Sequence, residues 1–183
     1  HILFNMLWLY WFGQIFTLYL GDKKVLPLYF IGGLTGALFF ILSYNLIPFF
    51  KPDLSGANMV GASAAIMAIV FAAASVNPDH EIRLMFIGNV RIKYIAVFSL
   101  LLDIINIPYG NAGGYIAHCG GALSGYLYIK GLHSGFDAAK VFTSPFSAIT
   151  SLFLGRPKMK ATYKAKKDTP SSSTETRNSD EQK

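Results

Sequence analysis

Charge is scarce in this chain. Only 14% of its 183 residues are Asp, Glu, Lys or Arg, while 52% are hydrophobic. A soluble domain of this size carries about 25% charged residues, so an ordinary soluble globular protein is excluded. Cysteine is nearly absent too. Cys119 stands alone, which rules out an internal disulfide framework. Next to His118 it reads as a small apolar packing residue. The opening "HILFNMLW" has neither an initiator methionine nor a basic region ahead of its apolar stretch. It is therefore not a signal peptide, and it reads as a fragment whose upstream part lies elsewhere. The four histidines, His1, His80, His118 and His133, have no metal-ligand spacing, and neither a metal nor a cofactor is expected.

What is present in quantity is long apolar sequence. Runs of roughly 20 apolar residues can cross the hydrocarbon core of a bilayer. Five spans can be drawn: His1 to Leu20, Val25 to about Ile47, about Val60 to Val76, Tyr94 to Ile107, and Tyr115 to about Leu132. Backbone polar groups in lipid must be satisfied within each segment, so all five are expected to be helices. The fold class is thus an all-α, polytopic transmembrane bundle. Residues 1–133 form the membrane domain. Residues 134–155, with Asp137, Lys140 and Pro145 among modest apolar stretches, suit an interfacial segment. Residues 156–183 form a basic tail that is charged and Ser/Thr-rich, with almost no apolar anchors, and it is expected to be largely disordered.

The distribution of charge orients the bundle. Lys23, Lys24, Arg83, Arg91, Lys93 and the basic tail fall on one side if the helices alternate, whereas the other side holds only Lys51. The positive-inside rule makes the basic side cytoplasmic. The net charge of +6 then reflects topology and contact with anionic lipid, not nucleic-acid binding.

Polar groups within membrane helices are costly and become functional candidates. His118, in "GYIAHCGGALSGYLYI", is the sharpest. Ser63, in "GASAA", opens the third span, where free backbone N–H groups and the helix dipole favour developing negative charge. Both lie near outer ends of helices running the same way, so their depths match. Small residues would let the two helices approach closely: Gly61, Ala64 and Ala65 on one, and Gly121 and Gly125 on the other. That approach could bring the imidazole to the hydroxyl as a base–nucleophile pair. His1 and Asn5 are four residues apart on one face. Asn5 could donate its amide to a developing oxyanion, and His1 could do likewise or bond a water, the bland alternative for both being polar capping at the membrane interface. Asp103 is the only acid well within a span. It sits about a turn from the outer end of its helix, where interface water or Asn106 would satisfy it, so it is read as structural and left out of the catalytic set. "GASAA" is not the G-x-S-x-G elbow of the α/β-hydrolases, because its second glycine is missing.

Taken in order, "HILFNMLW", "GASAA" and "AHCGGALSG" resemble the HxxxN, GxSx and AHxxGxxxG segments of rhomboid intramembrane serine proteases. The resemblance runs from His1 to about residue 132. The chain looks like a bacterial member of the basic six-helix form without its first helix, so that the five spans would be the family's second to sixth. The resemblance implies an endopeptidase that cleaves transmembrane helices of other proteins near the outer membrane face. Ser63 would be the nucleophile and His118 the general base and acid, with His1, Asn5 and the Ser63 backbone N–H forming the oxyanion hole. The family's dyad agrees with leaving Asp103 out. Met67 stands where many bacterial members have a tyrosine packed on the histidine, and Ala64 where glycine is common. The implied partners are membrane-protein substrates and the bilayer, and the implied membrane is the bacterial cytoplasmic membrane with the tail inside. Two other classes are open. A catalytically silent relative would escort membrane clients. A small channel or transporter would use His118 and Asp103 as a proton relay, but it would spread polar residues over several depths.

Overall fold

A computed structural model describes residues 2–48, 50, 62–84 and 88–140. The described residues form five helices and one β-hairpin, in the order α1 (Ile2–Leu20), α2 (Val25–Leu46), α3 (Ala62–Val76), β1 (Glu81–Leu84), β2 (Gly88–Arg91), α4 (Ile92–Asn106) and α5 (Ala112–His133). Short 3-10 turns at Asp22–Lys24 and Ile107–Tyr109 join α1 to α2 and α4 to α5. The expected helical membrane bundle is therefore the fold. Pro27 stands in the first turn of α2, where a helix tolerates it.

Many large apolar side chains face outward while small ones line the helix contacts, as α2 illustrates. On α2, Leu26, Phe30, Leu34, Leu38 and Leu42 recur every four residues and are exposed. The opposite face carries Gly32 and Gly36, which are buried. This is the pattern of a helix with lipid on one side and close-packed neighbours on the other. α1, α2 with its preceding turn, and α4 with its following turn are long and apolar enough to cross a membrane. The 15-residue α3 is shorter. It is also the innermost helix, with Ala64–Val70 and Ala72–Ala74 all buried. The 22-residue α5 packs on α2, α3 and α4. α3 therefore presents no long apolar face to lipid, whereas α5 leaves Leu123, Tyr126 and Leu127 exposed on its outer side.

α3 is gripped through backbone contacts. A Cβ at Gly121 of α5 would collide with the carbonyl oxygen of Ala64, and one at Gly125 with that of Ala68. From the other side, a Cβ at Gly32 would strike the Ala68 methyl, and one at Gly36 the Ala64 methyl. The packing role expected of Gly121 and Gly125 is thus shared with α2. The α2 spacing, legible as "GGLTG", is an element that sequence reasoning passed over. Gly61 lies outside the described residues.

The stretch read as a polar connection between the third and fourth spans contains the antiparallel hairpin, with Glu81 opposite Arg91 and Ile82 opposite Val90. Backbone bonds from Ile92 N–H to the His80 carbonyl (2.8 Å) and from Lys93 N–H to the Pro78 carbonyl (3.3 Å) tie its base to the start of α4. The α4 helix therefore begins at Ile92, two residues before the expected Tyr94, and α5 begins at Ala112, three before Tyr115. Asp79 bonds Lys93 Nζ at 2.7 Å and Arg91 Nη1 at 3.2 Å. The Lys93 hydrogen bond and charge, with a smaller contribution from Arg91, hold the exposed Asp79 carboxyl below its ordinary range. At the same end, the Tyr19 hydroxyl accepts from Asn77 Nδ2 (2.8 Å) and lies 2.9 Å from His80 Nδ1. Asp137 accepts from the Tyr128 hydroxyl (3.2 Å) and pairs with Lys24 at 3.7 Å, which folds residues 134–140 back onto the bundle. The rest of the segment expected at the interface and the basic tail lie outside the described residues.

Candidate active site

At the opposite end from the hairpin, four helices converge on one cavity. The start of α1, the start of α3, the end of α4 and the start of α5 meet there because successive helices run in alternating directions. The cavity holds about 240 Å³. Its walls include Asn5 and Trp8 of α1, Ser63 and Met67 of α3, Asp103 of α4 and His118 of α5.

Ser63 is the second residue of α3, where backbone N–H groups have no intrahelical acceptor. Its Oγ lies 2.7 Å from His118 Nε2, so two residues 55 apart in sequence are in hydrogen-bond contact. That contact depends on the backbone approach at Gly121, one turn along α5 from His118 and directly over the Ala64 carbonyl. Both side chains are half-buried.

His118 Nδ1 has its own partner. It lies 2.9 Å from Asp103 Oδ2, with 16% of the aspartate side chain and 20% of the histidine side chain exposed. This corrects the expectation that Asp103 reaches interface water or Asn106. The Asn106 amide is used elsewhere, donating to the Leu102 carbonyl at 2.6 Å. The reason is rotation about the helix axis. Depth alone is compatible with either partner, but α4 turns Asp103 toward α5. The connection that makes this possible is short. Gly110 at φ 120° and Asn111 at φ 50° reverse the chain after Tyr109, conformations suited to glycine and asparagine. The Asn111 carbonyl then accepts from the Gly114 N–H at 2.9 Å as α5 begins.

A carboxylate only accepts hydrogen bonds, so the Nδ1–H of a neutral His118 donates to Asp103. Nε2 is then left as the acceptor for the Ser63 hydroxyl proton. Ser63, His118 and Asp103 form a continuous chain of donors and acceptors. This arrangement can take a proton from a hydroxyl while its oxygen attacks.

A profile of known families supplies the identity. The Rhomboid domain matches residues 1–135. The chain belongs to the rhomboid family. It is also 30% identical over 131 residues to the RHOMBOID-like protein 12, mitochondrial, of Arabidopsis thaliana. That match covers 67% of this chain and 39% of the relative, so the chain spans well under half the relative's length. No solved structure gives a significant match.

In this rhomboid the remaining predicted residues are placed as follows. Asn5 lines the cavity from the first turns of α1, and Met67 lines it from α3, one turn beyond Ser63 and 6% exposed. His1 lies outside the described residues. Sequence reasoning missed Tyr115, whose ring meets the His118 ring edge-on at 6.3 Å between centroids. The spacing was visible, since Tyr115 precedes His118 by three residues on one helical face. It also missed Trp8, three residues beyond Asn5 on the cavity wall.

Proposed function

We propose that this rhomboid is an intramembrane serine endopeptidase that cuts transmembrane helices of other membrane proteins near the outer face of the bilayer. The 2.7 Å contact between Ser63 Oγ and His118 Nε2, inside a cavity walled by four helices, is the observation that carries this reading. In the first step Ser63 Oγ attacks the scissile carbonyl carbon while its proton passes to His118 Nε2. The carbonyl oxygen becomes an oxyanion, and the Ser63 backbone N–H and Asn5, with His1 as the sequence suggests, are proposed to stabilise it. His118 then returns the proton to the departing amide nitrogen as the C–N bond breaks, leaving an ester on Ser63. Water attacks that ester and gives a proton to His118, which passes it to Ser63 Oγ as the ester C–O bond breaks, releasing the acid and the free serine.

The ring that meets His118 edge-on is Tyr115, from the histidine's own helix, and it is proposed to take over the supporting role of the tyrosine that Met67 replaces. The site's position at one end of the bundle favours cleavage close to a membrane surface, where water is at hand. A helical substrate must unwind before a peptide carbonyl can reach Ser63, so helices with small residues at the cut are the proposed substrates. The proposed membrane is a bacterial cytoplasmic membrane with the basic side inside. The mitochondrial name belongs to the Arabidopsis relative.

The test is cleavage of a purified model transmembrane substrate in detergent or liposomes. Wild type is expected to cleave, and Ser63→Ala and His118→Ala to lose at least about 10³-fold in kcat. A fluorophosphonate probe should label wild type and not Ser63→Ala. Equal cleavage by all three proteins sinks the protease reading. Binding of the substrate helix with no cleavage by wild type supports the client-escort alternative.

A further inference from the structure

We propose that Asp103 is a positioning residue that holds His118 in the tautomer and orientation the reaction needs, making the site a Ser-His-Asp relay in place of a dyad. The inference rests on the protease reading above.

Three observations support it. First, the carboxylate is aimed at the ring nitrogen that Ser63 does not use: Asp103 Oδ2 to Nδ1 is 2.9 Å, and Ser63 Oγ to Nε2 is 2.7 Å. Second, the aspartate is mostly buried in a membrane helix, at 16% exposure. A carboxylate there is expensive unless paired, and His118 pairs with it. A general interhelical staple could have been built from serine or asparagine at lower cost. Third, the two contacts are set by separate devices. The Ser63–His118 contact depends on glycine packing between α3 and α5. The Asp103–His118 contact depends on the tight reversal at residues 107–111 between α4 and α5. The imidazole is thereby fixed from both nitrogens by different neighbours.

Chemically, the carboxylate does not take a proton. It accepts the Nδ1–H bond throughout, keeps the Nε2 lone pair pointed at Ser63, and stabilises the imidazolium formed when Ser63 gives up its proton. Asparagine at this position fills the same space but can turn its NH2 toward Nδ1, which selects the tautomer with hydrogen on Nε2. That tautomer cannot accept the serine proton.

The experiment uses the full chain in detergent. Wild type with 15N-labelled histidine is expected to show His118 protonated at Nδ1, with Nε2 carrying no hydrogen. In Asp103→Asn the populations should shift toward Nε2–H. In the cleavage assay, Asp103→Asn should lower kcat by about 10²- to 10⁴-fold while KM stays within about twofold, and fluorophosphonate labelling of Ser63 should slow in parallel. Asp103→Glu, which keeps the carboxylate, should recover at least about tenfold of that loss. The proposal is overturned if wild-type His118 carries its hydrogen on Nε2, or if folded Asp103→Asn keeps wild-type kcat. A change in thermal stability without a change in kcat or tautomer would leave Asp103 a structural staple, and likewise overturns it. The wild-type tautomer measurement needs no variant to fold and no activity. If wild type does not cleave at all, the protease reading fails. If wild type cleaves, Ser63→Ala does not, and Asp103→Asn matches wild type, only the present inference fails.

Discussion

At the scale of single residues, the site is a small set of polar side chains that a membrane helix would otherwise exclude. Asn5, Ser63, Asp103 and His118 come from four different helices and meet at one cavity. Three of them could be ranked from sequence because a histidine, a serine at a helix start and an asparagine one turn into a span have few bland explanations together. Asp103 could be seen but not assigned. Its depth was readable from its distance to the end of the span, whereas the direction of its side chain depends on how α4 is rotated against α5, and no sequence spacing encodes that. Asn5 supports a specific expectation. If its amide donates to the oxyanion, the bond exists only as charge develops, so Asn5→Ala should lower kcat by about 10- to 10³-fold and leave KM nearly unchanged. Steady-state cleavage kinetics on one substrate measures both numbers. A rise in KM at constant kcat would instead assign Asn5 to substrate binding.

At the scale of elements, the helices were legible because apolar length and the need to satisfy the backbone in lipid leave little choice. The hairpin was not. Its strands are four residues each, and β2 opens with glycine and asparagine, which are poor strand formers, so only pairing with β1 and the tie to α4 stabilise it. The glycines of α5 read correctly as packing residues, while the matching pair on α2 was overlooked beside bulkier neighbours. Packing makes a differential prediction. Gly121→Val drives side-chain atoms into the Ala64 backbone and should cost about 2 kcal/mol or more, with loss of cleavage as His118 moves off Ser63. Gly13→Ala, where a Cβ meets nothing within 4 Å, should be neutral or raise stability by up to about 1 kcal/mol. Thermal unfolding in one detergent compares them, and equal losses would contradict the contact pattern. The hairpin offers a pH test. Asp79 sits below its ordinary value of 3.8 because Lys93 favours its charged form. The stabilisation is therefore complete above that value and disappears as pH falls through the lower folded-state value. Amide protection at Ile92 and Lys93 should hold from about pH 7 to 5 and decline below about pH 4, a decline that Asp79→Asn removes. The group is largely exposed, so the effect should also weaken with added salt.

At the scale of the whole molecule, chemistry and charge are segregated to opposite ends. The cavity with Ser63 and His118 lies at one end. Asp79, Arg91, Lys93 and the Lys24–Asp137 pair lie at the other. That separation is what argues against a channel or proton relay, which needs polar groups along the full depth of the bundle. Among the described residues, the buried core between the two ends is apolar, with Phe12, Phe16, Leu28, Ile69 and Val70, and its one titratable side chain, the Tyr128 phenol, bonds Asp137 toward the charged end. The same asymmetry is the basis of the orientation proposed for the protein. Positive side chains are retained on the cytoplasmic side during insertion, so the hairpin should be inside and the turn at Tyr109 outside. Both positions are accessible, with Tyr109 83% exposed and the Asp79 side chain 63% exposed. With Cys119 replaced by alanine, a single cysteine can be introduced as Tyr109→Cys or Asp79→Cys. In intact bacterial cells a membrane-impermeant maleimide should label Tyr109→Cys at once and Asp79→Cys only after permeabilisation. The reverse pattern would put Ser63 at the cytoplasmic face and move the proposed cut to the other end of every substrate helix. Labelling of both in intact cells would mean that the bundle does not seal the membrane between its two ends.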